Sequence, residues 1–157
     1  GDHSHDLINL KPGVRVFMEG PYGAFTKNRA TRKHVLLVGG GVGITPIRAI
    51  AEEFGDTVNI DVIYRVSKRE DLVLKAELDY LSEKFGSSFN VHYLVGSRHE
   101  YPMKSRDILK LAPYFADSDV YVCGPEALVE SITLAAKEVG IPKNRVHHEE
   151  FEFHSKV

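Results

Sequence analysis

The chain has 157 residues, of which 43% are hydrophobic and 27% charged, and its formal net charge is −2. This composition is typical of one globular domain with its own core, and the charge balance argues against a nucleic-acid partner. No apolar run approaches the roughly 20 residues that cross a bilayer. The single cysteine, Cys123, excludes an internal disulfide. A lone cysteine also fits a reducing compartment, so we expect a cytoplasmic location.

The first 33 residues differ in pattern from the rest of the chain. Residues 14–19 alternate like a strand that has no partner of its own, and residues 20–33 are rich in glycine, threonine and basic side chains. We therefore expect residues 1–19 to end another domain and residues 20–33 to be a linker. The elements predicted after the linker are strand 34–38, a helix with its apolar face over 47–54, strand 59–65, a helix with its apolar face over 74–85, strand 89–95, helix 105–113, strand 119–124, a helix with its apolar face over 128–139, and strand 145–151.

The alternation of strands and helices predicts the fold class. Strands that alternate with helices of this length form a parallel sheet with right-handed crossovers. Residues 34–157 are therefore predicted to form an α/β domain with a doubly wound, five-stranded parallel sheet. The expected strand order is 3-2-1-4-5, with helices on both faces.

Four glycines stand within five positions where the first strand becomes the first helix, in GGGVGITP (39–46). At such a junction free amide groups and the positive end of the helix dipole point outward, and glycine lets a pyrophosphate approach them. A tight turn packed against its neighbours is the alternative interpretation. A side chain at Gly41 or Gly43 is expected to displace the pyrophosphate and to leave the fold intact. The predicted cofactor-binding residues of this motif are Gly39, Gly40, Gly41, Val42, Gly43, Thr45 (as helix cap or as hydrogen-bond donor to a phosphate) and Pro46 (in the first helical turn).

Pro46 stands where the usual dinucleotide fingerprint has its third glycine. With this departure, GGGVGITP resembles the nucleotide-binding loop of the ferredoxin–NADP reductase-like superfamily. Three other stretches carry the same resemblance in the expected order: EGPYGAFT (19–26), YVCGPEALVESI (121–132) and HHEEFEF (147–153). The first 26 residues look most like bacterial ferric-reductase-like and NADPH-oxidase-like flavoreductases.

The resemblance implies the NADPH-binding half of a flavin-dependent oxidoreductase, which delivers hydride to FAD. Family members place a flavin-binding β-barrel before this domain, with an Arg-x-Tyr-Ser/Thr clamp that this chain lacks. The implied partners are an upstream FAD domain and an electron acceptor, namely a haem, an iron chelate or an iron–sulfur protein. A membrane domain in the parent chain would make this a cytoplasmic-side domain. Without the FAD domain we expect the 157 residues alone to be inactive.

The resemblance also assigns residues to the nicotinamide end of the site. It places Cys123 beside the nicotinamide ring, as a catalytic residue, with Gly124 and Pro125 shaping the turn beneath. The alternative for Cys123 is a small buried hydrophobic residue.

Aromatic residues near both ends of the chain are assigned in the same way. Phe151 is expected to cover the flavin ring as a catalytic residue, with Phe153 beside it. For Phe153 the alternative is packing into the core. Tyr22 is expected near both cofactors, and a surface tyrosine in an ordinary turn is its alternative.

The end of the second predicted strand bears on the choice of dinucleotide. Arg65, Ser67 and Arg69 suit a 2′-phosphate, through charge-assisted hydrogen bonds. A solvated charged loop, with Glu70 and Asp71 pairing the cations, is the alternative. The sequence therefore favours NADPH, with NADH as the other candidate.

Neither a metal site nor a different function class is favoured. His147 and His148 are adjacent on a predicted strand and point to opposite faces, so they are not expected to share an ion. A nucleotide-binding regulatory module without redox activity remains the functional alternative. Such a module would have no use for CGP (123–125) or the terminal phenylalanines. A complete dehydrogenase would need a substrate domain, for which 157 residues leave no room.

Overall fold

Five strands alternate with four α-helices in the computed structural model, which describes Gly13 and residues 25–150. The strands are β1 (His34–Gly40), β2 (Asn59–Val66), β3 (Phe89–Val95), β4 (Ser118–Gly124) and β5 (Val146–Glu150). The helices are α1 (Ile44–Phe54), α2 (Lys75–Phe85), α3 (Ser105–Leu111) and α4 (Glu126–Glu138). Two short 3₁₀ turns matter for the site, Gly41–Gly43 before α1 and Arg69–Asp71 before α2.

All strand pairs in the sheet are parallel, and the order is β3-β2-β1-β4-β5. This confirms the predicted fold class and strand order. The order reverses between β1 and β4, which lie side by side with Gly39 opposite Cys123. In open sheets of this kind ligands bind outside the carboxyl ends of the strands, at such a reversal.

The core lies on both faces of the sheet. Leu37 packs on the face covered by α1 and α2, whereas Leu36 and Val38 pack on the face covered by α3 and α4. From Val35 onward β1 is buried on both sides, as its unbroken apolar run predicts.

Helix α1 begins differently from the prediction. Its N-cap is Gly43 and it has no side-chain cap; Thr45 is the exposed second residue of the helix, so its predicted capping role is wrong. Pro46 lies in the first turn, where its missing N–H costs nothing. The apolar faces predicted over 47–54 and 74–85 stop just before Gly55 and Gly86, which are the C-cap residues of α1 and α2, with φ of 56° and 61°.

The segment just before β1 is docked on β4. The backbone N–H groups of Thr31 and Arg32 donate to the buried carboxylate of Asp119, at 2.6 and 2.7 Å. Two residues further along β4, the Tyr121 hydroxyl donates to the carbonyl of Thr26 at 3.0 Å. The described part of the predicted linker therefore lies against the sheet.

Several predictions fall on residues outside the described part of the chain. These are the strand 14–19, the residues 1–19 assigned to another domain apart from Gly13, the start of the linker, Tyr22, Phe151 and Phe153. Among the described residues, no helix is long and apolar enough to cross a bilayer.

Candidate functional site

A cleft of about 970 Å³ opens at the carboxyl edge of the sheet. Its walls come from the turn after β1, the end of β2 with the loop that follows it, the loop after β3, and the first turns of α4. Because parallel strands all end at this edge, segments far apart in sequence meet there. Residues that line the cleft include Gly41, Arg65, Asp71, Arg98, Pro125 and Ser131.

The glycines at the turn after β1 (residues 39–43) have different surroundings. Gly41 has a φ of 54°, and a Cβ built there would meet no atom within 4 Å, so its backbone faces open space. A Cβ on Gly43 would lie 2.8 Å from the backbone nitrogen of Gly124 and closer still to the Cys123 carbonyl. Gly43 is therefore required for the packing of this turn on β4. The prediction that a side chain at Gly43 would leave the fold intact is wrong.

Protein atoms also leave no room for a side chain at Gly39 and Gly40, the two glycines before Gly41. A Cβ on Gly39 would lie 2.8 Å from Cδ1 of Ile44, and a Cβ on Gly40 would lie 2.5 Å from Cδ2 of Leu128. Both residues are buried, although Gly40 also lines the cleft. Val42 lines it as well, with 55% of its surface exposed. A turn packed against its neighbours, the alternative interpretation, accounts for the glycines at 39 and 43, whereas Gly41 has the open surroundings expected for ligand approach. Cofactor binding by these glycines stays a prediction.

Two arginines meet on the side of the cleft formed by β2 and β3. Burial lowers the pKa of Arg65, and the positive charge of Arg98 lowers it further. The Nε atom of Arg65 is buried and has no hydrogen-bond partner among the described residues. Two cations and an unsatisfied donor at one cleft wall fit an anionic group. Ser67 also lines this wall, but Arg69 is not among the lining residues.

The sequence interpretation missed Ser97 and Arg98, which line the cleft from the loop after β3. The signal was available in GSR (96–98), because polar residues directly after a strand of a parallel sheet lie at the ligand edge. Asp71, interpreted only as a partner for nearby cations, also lines the cleft.

Cys123 lies at the end of β4 with none of its surface exposed, in the core cluster that contains Ile44 and Tyr121. Burial raises the pKa of its thiol to about 12, with the negative charge of Glu149 as a smaller cause. The thiol therefore stays protonated and is no nucleophile at neutral pH. Cys123 is not among the residues that line the cleft, and its role beside the nicotinamide stays a prediction.

The remaining predicted residues divide between the cleft and other places. Pro125 lines the cleft, whereas Gly124, Thr45 and Pro46 are not among the lining residues. His147 is buried against the Tyr121 ring, with centroids 4.5 Å apart, and His148 is exposed on the neighbouring position of β5. Within residues 25–150, no three His, Cys, Asp or Glu side chains are grouped to hold a metal ion.

The sheet order and the cleft together define a doubly wound α/β domain with a cleft at its switch point, the class to which dinucleotide-binding domains belong. The family model described as "Oxidoreductase NAD-binding domain" matches residues 37–133. The chain belongs to this family, within the ferredoxin–NADP reductase-like superfamily, which confirms the resemblance read from its motifs.

Curated relatives and a solved structure agree with this assignment. NADH-cytochrome b5 reductase 1 of Candida glabrata is 30% identical, over 91% of this chain and 54% of the relative. The glycine betaine monooxygenase reductase subunit of Pseudomonas aeruginosa is 29% identical, over 94% of this chain and 42% of the relative. The chain thus spans about half the length of the curated relatives it matches.

The fold is also shared with the cytochrome b5 reductase domain of Ulva prolifera nitrate reductase. The TM-score is 0.71 at 21% identity, over 96% of this chain and 66% of that one. At this identity the likeness concerns the fold alone.

Proposed function

We propose that this chain is the nicotinamide-dinucleotide-binding half of a flavin-dependent oxidoreductase and that the 970 Å³ cleft holds the dinucleotide. The observation that carries the proposal is the position of Gly41, open toward the cleft where the strand order reverses between β1 and β4. Membership of an oxidoreductase NAD-binding family supports it.

The residues of the cleft suit the parts of such a ligand. The backbone at Gly41 and Val42, at the positive end of α1, suits the pyrophosphate. The wall with Arg65 and Asp71 would hold the adenosine half, and the wall with Pro125 the nicotinamide half. The bound dinucleotide supplies hydride, and the residues of this chain bind and orient it.

FAD, held by a flavin domain of the parent protein, is the proposed hydride acceptor. Two relatives are named for cytochrome b5 and for a monooxygenase, so we propose a protein-bound redox centre, haem or iron–sulfur, as the acceptor beyond FAD. A ferric chelate is the second candidate, from the resemblance of the first 26 residues to ferric-reductase-like proteins. A membrane domain in the parent chain would leave this half on the cytoplasmic side.

The choice between NADH and NADPH is a separate question, because the sequence motif and the name of a relative point to different dinucleotides. The sequence favoured NADPH, whereas the relative of 30% identity is named for NADH. We propose NADH as the donor, with the Asp71 carboxylate accepting hydrogen bonds from the ribose hydroxyls. NADPH is the second candidate, because Arg65 and Arg98 provide two cations for a 2′-phosphate.

Isothermal titration calorimetry with both dinucleotides separates these candidates. Wild-type chain should bind NADH at least as tightly as NADPH, and the double variant Arg65→Gln/Arg98→Gln should lose less than threefold in NADH affinity. If the wild-type chain prefers NADPH and the double variant loses tenfold or more in NADPH affinity, NADPH is the donor instead. A loss of this size is expected because each charged hydrogen bond contributes about 1.5–3 kcal/mol.

The dinucleotide site itself is tested by a matched pair of glycine variants. Gly41 and Gly86 both have positive φ, 54° and 61°, and open space at the Cβ position, but only Gly41 lines the cleft. Gly41→Val should weaken NADH binding by more than tenfold, because its side chain enters the cleft, while Gly86→Val should leave affinity unchanged. Equal affinities in the two folded variants would contradict the proposed site.

A further inference from the structure

Tyr64 on β2 is a buried tyrosine whose hydroxyl is directed to a loop. None of its surface is exposed, and the hydroxyl donates to the backbone carbonyl of Asp71 at 2.8 Å. A phenylalanine would fill the same space in the core, and a buried tyrosine hydroxyl requires a partner. We therefore attribute the presence of a hydroxyl at this buried position to its hydrogen bond with the loop.

That loop, residues 67–74, connects β2 to α2 and is called the β2–α2 loop here. It forms one wall of the cleft through Ser67, Asp71 and Val73. All three residues are exposed, Val73 to 73%. Within the loop the Asp71 and Leu72 N–H groups donate to the carbonyls three residues earlier, at 3.1 and 3.2 Å. The wall-forming residues thus have little apolar packing of their own, and the Tyr64 hydroxyl links them to the core.

Two further observations support this link. Burial raises the pKa of Tyr64, and the nearby Val73 backbone opposes the rise, so a second backbone group of the loop lies close to the hydroxyl. The Tyr93 ring lies edge-on to Tyr64, with centroids 6.4 Å apart. Its hydroxyl donates to the Asp79 carboxylate at 2.6 Å and lies 3.3 Å from the Lys75 carbonyl. Tyr93 thereby holds the start of α2, where the loop ends.

We propose that Tyr64 is a positioning residue for the adenosine half of the dinucleotide: its hydroxyl holds the β2–α2 loop in the shape in which Asp71 and Val73 line the cleft. This inference rests on the proposed function. Tyr64 itself is not among the lining residues and acts through the loop. The binding of ligand groups that contact the loop depends on the Tyr64 hydroxyl, whereas the binding of a pyrophosphate at Gly41 does not.

Tyr64→Phe separates these two ends of the cleft. In NMR titrations of the 157-residue chain, the dissociation constant of ADP should rise about three- to tenfold, the effect of one net hydrogen bond. That of inorganic pyrophosphate should change less than twofold. The control is Tyr80→Phe, which removes the hydroxyl of a tyrosine that is 60% exposed on α2 and should change neither constant.

Amide hydrogen exchange in the ligand-free chain provides the second readout. The Asp71 and Leu72 amides should exchange faster in Tyr64→Phe than in wild type, while the amide of Leu37 in the centre of the sheet should keep its protection.

Each outcome decides a different claim. If wild type and Tyr64→Phe bind ADP equally, the positioning role is overturned and the proposed function stands. If Tyr64→Phe loses ADP and pyrophosphate alike, or Leu37 also loses protection, the hydroxyl stabilises the whole domain and the positioning role is again overturned. If wild-type chain binds neither ADP nor NADH, the proposed function fails and the positioning role fails with it.

Discussion

Gly41 and Gly43 are two residues apart in one turn, yet the atoms around them differ completely. Gly41 faces open space at the cleft, whereas Gly43 lies against the backbone of Cys123 and Gly124. The first position is free for a ligand, and the second is occupied by the sheet. Substitutions at the two glycines should therefore have separate consequences.

Gly43→Ala should destabilise the domain by at least about 3 kcal/mol, because the new methyl group would overlap backbone atoms that cannot rotate away. Gly41→Ala should cost only about 1–2 kcal/mol, the strain of a left-handed alanine with free space around it. Urea unfolding followed by circular dichroism measures both values. Similar losses for the two variants would show that the turn does not pack on β4 as described.

Cys123 should be unreactive in the folded chain. Burial raises the pKa of its thiol from 9.0 to about 12, so the thiolate fraction at pH 8 falls about a thousandfold. A disulfide reagent such as DTNB should label Cys123 slowly in buffer and at the rate of a free thiol in 8 M urea. Fast labelling of the native chain would mean that the thiol is open to solvent.

At the scale of elements, β4 pairs within the sheet and also binds the segment that precedes β1. Asp119 and Tyr121 lie two residues apart on the same face and bind the backbone of the segment before β1. A carboxylate without exposed surface is tolerated because two N–H groups donate to it. The path of the chain into the domain is therefore set by β4, a strand that follows more than eighty residues later.

Asp119→Asn tests this docking against a matched control. Loss of the charge should destabilise the domain by about 2 kcal/mol, since both N–H donors are bound by a buried carboxylate. Asp117→Asn removes a surface ion pair with Arg32, with 65% of the Asp117 side chain exposed, and should cost less than about 0.5 kcal/mol. Chemical denaturation of the two variants measures both losses in the free energy of unfolding. Equal losses would mean that the segment before β1 adds nothing to stability.

For the whole molecule, buried titratable groups on β4 and β5 limit stability at both ends of the pH range. Burial lowers the pKa of His147 below its usual 6.5, so the unfolded chain takes up a proton first as pH falls. Burial raises the pKa of Cys123 to about 12 and that of Tyr121 above its usual 10.0. The unfolded chain therefore releases protons first as pH rises above about 9.

The free energy of unfolding should accordingly be highest between about pH 7 and 9 and fall on both sides. The decrease below pH 6.5 should become shallower in His147→Gln, and the decrease above pH 9 should become shallower in Cys123→Ala. Urea titrations at unit intervals from pH 5 to 10 provide the measurement. A profile that the variants leave unchanged would contradict the burial of these two side chains.

The elements themselves could be predicted because their signals are local. An unbroken apolar run from Val35 identified a strand buried on both faces, and the apolar faces predicted over 47–54 and 74–85 stop just before the C-cap glycines of α1 and α2. The cap at Thr45 failed because the chain inserts a 3₁₀ turn before α1, which shifts the helix start to Ile44. Glycine permits such a turn without any change of pattern that periodicity can detect.

The sequence by itself determined the alternation of elements and the superfamily, because periodicity and the GGGVGITP loop are properties of neighbouring residues. Only the tertiary structure decided which glycine faces the cleft, that Arg98 and not Arg69 joins Arg65, and that Tyr64 holds the β2–α2 loop. Arg65 and Arg98 meet because β3 lies beside β2 and parallel strands end at one edge. No local pattern encodes that Arg65 shares a cleft wall with a residue that follows another strand, so this arrangement exists only once the sheet has formed.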